Sequence, residues 1–194
     1  MKPLSISILT VCGVDEIAAH RDRDVSHVLS LLDPGWPEIT SFADFAAHRR
    51  AVMHFHDIID EAPDKSAPTM ADVAKILAFG ADLAEENEQR TAGHLLVHCQ
   101  MGISRSTAAM LMLLTQAYPD ESEDMLFARL RQIRAQAWPN SRMIGFADEL
   151  LGRNGRLVAA LGRHYREAIK HEPKYEEWMV MLGRGRELDM MRAS

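Results

Sequence analysis

The chain has 194 residues, 47% of them apolar and 26% charged, with a formal net charge of −6. This composition excludes a disordered segment, and the lack of any Lys/Arg-rich run argues against nucleic acid or an anionic membrane as the main partner. Two cysteines, Cys12 and Cys99, make no disulfide framework, so a reducing, cytoplasmic setting fits.

Lys2 and the apolar run to Cys12 have the outline of a lipoprotein leader. Ser5, Ser7 and Thr10 interrupt that run, and its removal would delete the first expected strand. No stretch approaches about 18 consecutive apolar residues, so no membrane span is expected.

Leu4 to Val11 alternates Ile6 and Ile8 with Ser5 and Ser7 and reads as a first strand. A short helix follows, Val14 to Arg21, then a second strand, Val25 to Leu32. Asp33-Pro34-Gly35-Trp36-Pro37 is a turn cluster. A short helix around Phe42 to Arg49 precedes a third strand, Ala51 to His56, and a loop, Asp57 to Pro68. Thr69 caps a long helix to about Asn87, with Val73, Ile76, Leu77, Gly80, Leu83 and Ala84 on one face. Glu88 to Gly93 turns into the buried strand His94 to Val97.

The remainder is helical: Thr107 to Tyr118, Glu123 to Ala137, Arg142 to Leu151, a stripe of Leu157, Leu161, Tyr165 and Ala168, and a last stretch, Glu172 to Ser194. That last stretch docks on the body or on a partner, with a homodimer through these helices as one form. The fold class expected is α/β, a parallel-rich sheet of about four to five strands flanked by helices, with a helical C-terminal half. Residues 1–152 are expected to form one domain and 153–194 a helical extension.

The informative stretch is His98-Cys99-Gln100-Met101-Gly102-Ile103-Ser104-Arg105-Ser106. Apolar Leu95-Leu96-Val97 leads in, and a small-residue and Met/Leu run from Thr107 leads out, so it reads as buried strand, tight loop, buried helix. Gly102 permits the turn. Backbone N–H groups of such a loop, backed by a helix dipole, make an anion nest. Arg105 adds a planar fork for two phosphate oxygens. The same field stabilises a thiolate at Cys99, a nucleophile aimed at phosphorus or an analogous centre.

The His-Cys pair, five residues and Arg-Ser resemble the signature of the cysteine-dependent protein tyrosine phosphatases, and Gly102 to Ser106 resemble the dual-specificity branch. An acidic residue after an earlier strand, His54-Phe55-His56-Asp57, and the turn Pro139-Asn140 followed by Phe146 and Leu150 extend the resemblance over roughly residues 5 to 151. The loop from Asp57 to Pro68 is longer than usual for the branch, the tryptophan-led acid motif of the larger enzymes is absent, and the tail after Leu151 resembles nothing nameable.

The resemblance implies roles. Cys99 attacks phosphorus to give a phosphocysteine. Arg105 and the phosphate-loop amides of Gln100, Met101, Gly102, Ile103, Ser104 and Arg105 stabilise the transferring group. Ser106 hydrogen-bonds the sulfur, and His98 orients the loop and supports the thiolate. Asp57 is the general acid, with Asp60, Glu61 and Asp64 as rivals. No cofactor or metal is called for. His54 and His56 share ligand spacing, but no third ligand is spaced to match. Asn140 reads as a turn residue ordering the loop's neighbours. Cys12 reads as a small buried residue, and the competing reading makes it a redox partner of Cys99.

The loop carries no lysine, which favours a phosphorylated protein, tyrosine first, over lipid-type substrates, with small phosphomonoesters open. The alternatives are an inositol-phosphate phosphatase, or a recognition module that binds phosphate without turnover. Sulfur-transfer and arsenate-reducing enzymes also use a cysteine in an anion loop, but fit the His-Cys and Arg-Ser pairs less well.

Overall fold

The computed structural model describes residues 8–86 and 93–193. Strands β1 (Ile8–Cys12), β2 (His27–Leu32), β3 (Arg49–His54) and β4 (His94–His98) form one fully parallel sheet in the order β1-β4-β2-β3. The signature strand β4 lies inside the sheet, and all five of its residues are buried. Parallel strands covered on both faces read as continuous apolar runs, as Leu95-Leu96-Val97 does.

Alternation divides the core. Val11, Leu29, Leu31, Leu95 and Val97 face α1 (Met70–Glu86), α2 (Arg105–Ala117) and the helices beyond. Cys12, Val28, Leu32 and Leu96 face the opposite layer, with Ile17, Val25, Ile39 and Phe42. That second layer is thin. It is built from two 3-10 helices, Val14–His20 and Thr40–Asp44.

Several expectations shift. The helix expected around Phe42 to Arg49 is the short 3-10 segment Thr40–Asp44, and the third strand spans Arg49–His54 rather than Ala51 to His56. The cause is the ladder with β2, which pairs Arg49 with His27 and Arg50 with Val28. As an edge strand, β3 is half exposed and lacks a clean apolar signal. Leu4 to Ser7 of the expected first strand, Asn87 and the turn at 88–92 lie outside the described residues.

The C-terminal half is helical: α3 (Glu123–Ile133), α4 (Ser141–Leu150), α5 (Arg156–His171), α6 (Lys174–Met181) and α7 (Gly185–Ala193). Where one helix is expected from Glu172, two occur. The break is a left-handed turn at Gly183 (φ 69°), where Gly183 N–H donates to Val180 O and Arg184 N–H to Met179 O. This Schellman pairing ends α6 and starts α7 in a new direction.

Candidate active site

The carboxyl ends of the four strands converge on one side of the sheet. Cys99 follows β4, Gly13 follows β1, Asp33 follows β2, and Phe55 to Asp57 follow β3. A cleft of about 360 Å³ opens there, lined by Asp33, Trp36, His56, Asp57, Ile58, Lys65, Cys99, Gln100, Met101 and Arg105. Open parallel sheets form sites at this edge for topological reasons, because loops from neighbouring strands diverge there.

The loop from Gln100 to Ser104 is pinned from outside. Gln100 O accepts from Val14 N–H at 3.0 Å, Met101 O and Gly102 O accept from the Arg134 guanidinium at 3.3 and 3.0 Å, and Ile103 O accepts from Trp138 N–H at 2.9 Å. A carbonyl and the N–H of the same planar peptide point in opposite directions. Four outward carbonyls therefore turn the N–H groups of Met101, Gly102, Ile103 and Ser104 inward, as an anion nest requires. Glu16 steadies the Arg134 clamp through an ion pair at 2.9 Å and accepts from Gly13 N–H at 2.6 Å.

Gly102 has φ 68°, and a Cβ there would lie 2.4 Å from Cys12 C and 2.5 Å from Gly13 N. Both atoms are backbone, so no side chain can move aside.

Cys99 is buried, with Sγ 3.2 Å from Ser106 Oγ in the first turn of α2. Arg105 is 3% exposed. Its Nη1 donates to Asp33 Oδ1 at 2.7 Å and to Phe55 O, and its Nη2 donates to Gln100 Oε1. Its Nε is buried without a partner among the described residues. An orphan guanidinium donor this deep is costly unless an anion meets it.

His98 sits on the opposite face of the sheet, fully buried, with its ring centroid 5.6 Å from that of Phe42. Arg50 Nε donates to Ser30 Oγ at 2.9 Å, Ser30 Oγ and His98 Nε2 share a hydrogen bond at 2.6 Å, and His98 Nδ1 has no partner among the described residues. Burial, and then the charge of Arg50, push His98 down to about 3. The imidazole is therefore neutral and supplies no charge to the loop.

Asp57 is anchored by one oxygen. Oδ1 accepts from Ser104 Oγ at 2.7 Å and Asn140 Nδ2 at 2.9 Å, and lies 3.5 Å from Arg184 Nη1. No hydrogen bond engages Oδ2 among the described residues. Burial pushes the carboxyl up, but the charges of Arg184 and Arg105 and the two neutral donors outweigh it and hold Asp57 below the usual range. Asn140 joins Asp57 to the N-terminus of α4, where its Oδ1 also accepts from Met143 N–H.

The rival acids lie elsewhere. Asp60 pairs with Arg186 at 2.8 Å and Glu61 with Arg142 at 2.5 Å; neither they nor Asp64 line the cleft. His56 Nδ1 accepts from Ser66 N–H, and His54 closes the edge strand. Cys12 belongs to the thin-layer core and Cys99 to the other cluster, and burial, then the charge of Glu16, push the Cys12 thiol up to about 12, with Cys99 adding to the rise.

The structure thus brings Cys99, Arg105, Ser106, Ser104 and Asp57 together. Sequence reasoning missed Asp33, Arg134 and Arg184. The position of Asp33 at a strand end was a usable signal. Arg134 and Arg184 carry no local mark, because each reaches the site from a distant helix end.

The parallel sheet presents a thiol and a guanidinium at opposite ends of one anion-shaped loop. Solved tyrosine and dual-specificity phosphatases are similar to it in fold. The PTP-2 phosphatase of Cydia pomonella matches with a TM-score of 0.56 at 18% identity, over 76% of this chain and 88% of that one. The human tyrosine phosphatase-like serine/threonine/tyrosine-interacting protein matches at 0.53 and 16%, over 77% and 95%. Human DUSP28 matches at 0.52 and 17%, over 75% and 94%. No protein-family model and no curated protein matches the sequence.

Proposed function

We propose that the chain is a cysteine-dependent phosphomonoester hydrolase of the protein tyrosine and dual-specificity type. The observation that carries this reading is the orphan Nε of Arg105, buried at the end of a loop whose carbonyls all turn outward. A tetrahedral oxyanion would satisfy that nitrogen and the inward amides together.

In the first step, Cys99 Sγ forms a bond to phosphorus as the bond to the leaving oxygen breaks. Asp57, protonated, passes its proton to that oxygen through Oδ2, since Oδ1 is already held by its three partners. In the second step a water attacks phosphorus, Asp57 takes the water's proton, and the S–P bond breaks to release phosphate. Ser106 steadies the departing sulfur from 3.2 Å. Positive charge for both steps comes from Arg105 and the amides. Neutral His98 contributes position through Ser30, not charge.

Trp36 (38% exposed) and Met101 (69% exposed) flank the cleft with apolar surface suited to an aryl ring, which favours phosphotyrosine on a protein substrate. A cysteine nucleophile is suited to a reducing compartment.

The test is turnover of an aryl phosphate by the wild type and by Cys99→Ser, with chelator present. Wild-type turnover that chelator leaves intact and Cys99→Ser abolishes is expected. Turnover retained by Cys99→Ser would sink the covalent mechanism. Vanadate binding without any turnover would favour the recognition-module reading. Ranking phosphotyrosine, phosphothreonine and inositol phosphates then assigns the substrate class.

A further inference from the structure

Arg184 stands on the Schellman turn between α6 and α7, far outside the phosphatase-like sequence signature, and is 4% exposed. Its Nη1 donates to Ser104 Oγ at 2.8 Å and lies 3.5 Å from Asp57 Oδ1. Its Nε and Nη2 donate to the two oxygens of Glu187 at 2.8 and 2.7 Å. Glu187 is fully buried and also accepts from Trp138 Nε1 at 2.6 Å, Ser141 N–H at 2.9 Å and Tyr165 O–H at 3.1 Å.

The network therefore has two ends. One is Glu187, locked into the junction of α4, α5 and α7. The other is the pair Ser104–Asp57, one residue in the phosphate loop and one on the acid loop. A buried guanidinium must be neutralised by partners of good geometry, and its charge reaches far in such surroundings.

Building on the phosphatase reading, we propose that Arg184 is a positioning residue of the active site: from the C-terminal segment it ties the acid Asp57 to the phosphate loop through Ser104 and sets the pH range in which Asp57 holds its proton. Glu187 tunes the effect, because it competes with Asp57 for the same guanidinium. The other groups around Asp57 are Arg105, Ser104 and Asn140 in contact or near it, and Asp33, His56, Lys65 and Cys99 across the cleft. Among the described residues Arg184 is the cation in ion-pair contact with Asp57; it comes from the C-terminal helices, as does Arg186, which pairs with Asp60 instead.

The sign of the effect is fixed by charge. A positive neighbour favours the carboxylate, so its loss lets Asp57 keep its proton to higher pH. Loss of Glu187's negative charge leaves Arg184 undivided and moves Asp57 the other way.

The experiment measures two things in the full chain: the pH profile of kcat/KM on an alkyl phosphate, and the titration of the Asp57 carboxyl carbon by NMR. In Arg184→Gln, and in Arg184→Gln/Glu187→Gln, which leaves no unpaired buried carboxylate, both the basic limb and the titration move to higher pH. In Glu187→Gln both move to lower pH. Arg184→Lys keeps a charge and stays nearer the wild type. Structural loosening would lower rates at every pH without moving the limb, and cannot give shifts of opposite sign. An Asp57 titration unmoved in both Arg184→Gln and Glu187→Gln overturns the proposal. The NMR arm needs no turnover, so failure of the phosphatase reading shows separately, as a wild type inactive on every phosphate ester.

Discussion

Asp33 Oδ1 accepts a hydrogen bond from Nη1 of Arg105 at 2.7 Å, so the end of β2 and the start of α2 meet in one ion pair. Phe55 O takes the same nitrogen. Together they hold the guanidinium and leave Nε without a partner among the described residues.

Asp33→Asn should therefore weaken oxyanion binding. A hydrogen bond to a charged group contributes about 1.5–3 kcal/mol, a factor of about 10 to 100 in affinity. Half-exposed Asp33 belongs at the low end, since solvent screens it. The vanadate Kd of Asp33→Asn checks this, and an unchanged value would mean that Phe55 O alone aims the arginine. Arg105→Lys loses the fork itself and should lose about 100- to 1,000-fold in kcat.

The acid assignment gives a second comparison. Asp57→Asn should slow hydrolysis of an alkyl phosphate by about 100- to 10,000-fold, while an ester with a good leaving group, which needs no proton, should slow far less. Asp57 sits below the ordinary carboxylate range, so its protonated form is lost early as pH rises. On alkyl phosphates kcat/KM should thus fall on the alkaline side, and that fall should flatten in Asp57→Asn. Asp60→Ala and Asp64→Ala should keep it. If either loses the basic limb while Asp57→Asn retains it, the acid lies on the long loop.

Gly102→Ala tests the loop's geometry. Its Cβ would enter backbone at 2.4 Å, at a φ of 68°. Left-handed strain costs about 1–3 kcal/mol at a non-glycine residue, and the clash adds to it. Both Tm and vanadate affinity should drop, with the far-UV spectrum preserved. A wild-type vanadate Kd in Gly102→Ala would show that the nest does not depend on this turn.

Two buried histidines predict acid lability. Burial pushes His98 down to about 3 and His164 to about 4. Their folded values lie below the unfolded one near 6.5, so the unfolded chain binds more protons between those limits. Stability is fully present above about pH 6.5 and is lost as pH falls toward 4, by up to about 1.4 kcal/mol per unit for each histidine. His164 Nε2 donates to Ala137 O at 2.9 Å and Nδ1 accepts from Arg131 at 3.1 Å, a pattern only the neutral ring satisfies. Urea denaturation at pH 4.5, 5.5 and 7 should show the slope, and His164→Gln should reduce it. An identical slope in wild type and variant would count against the neutral buried ring.

The shape of the candidate loop was legible because its chemistry is local. Nine consecutive residues carry the thiol, the turn glycine, the guanidinium and the helix start, and the flanking apolar runs name the strand and helix that hold them. The place of Asp57 at the cleft was legible for a related reason, since a residue directly after a parallel strand inherits its place from the sheet. What sequence could not give is which distant groups close on that loop. β3 begins at Arg49 because β2 offers a partner ladder, not because Arg49 favours a strand. Arg134 holds two loop carbonyls from the end of α3, and Arg184 reaches Asp57 across 127 positions of sequence. These contacts depend on helix packing over the sheet, and a long arginine at a helix end reads as solvated until the fold shows what it meets. Local hydrogen-bonding geometry is thus written in the order of the residues, whereas long-range electrostatics is decided only when the chain has folded.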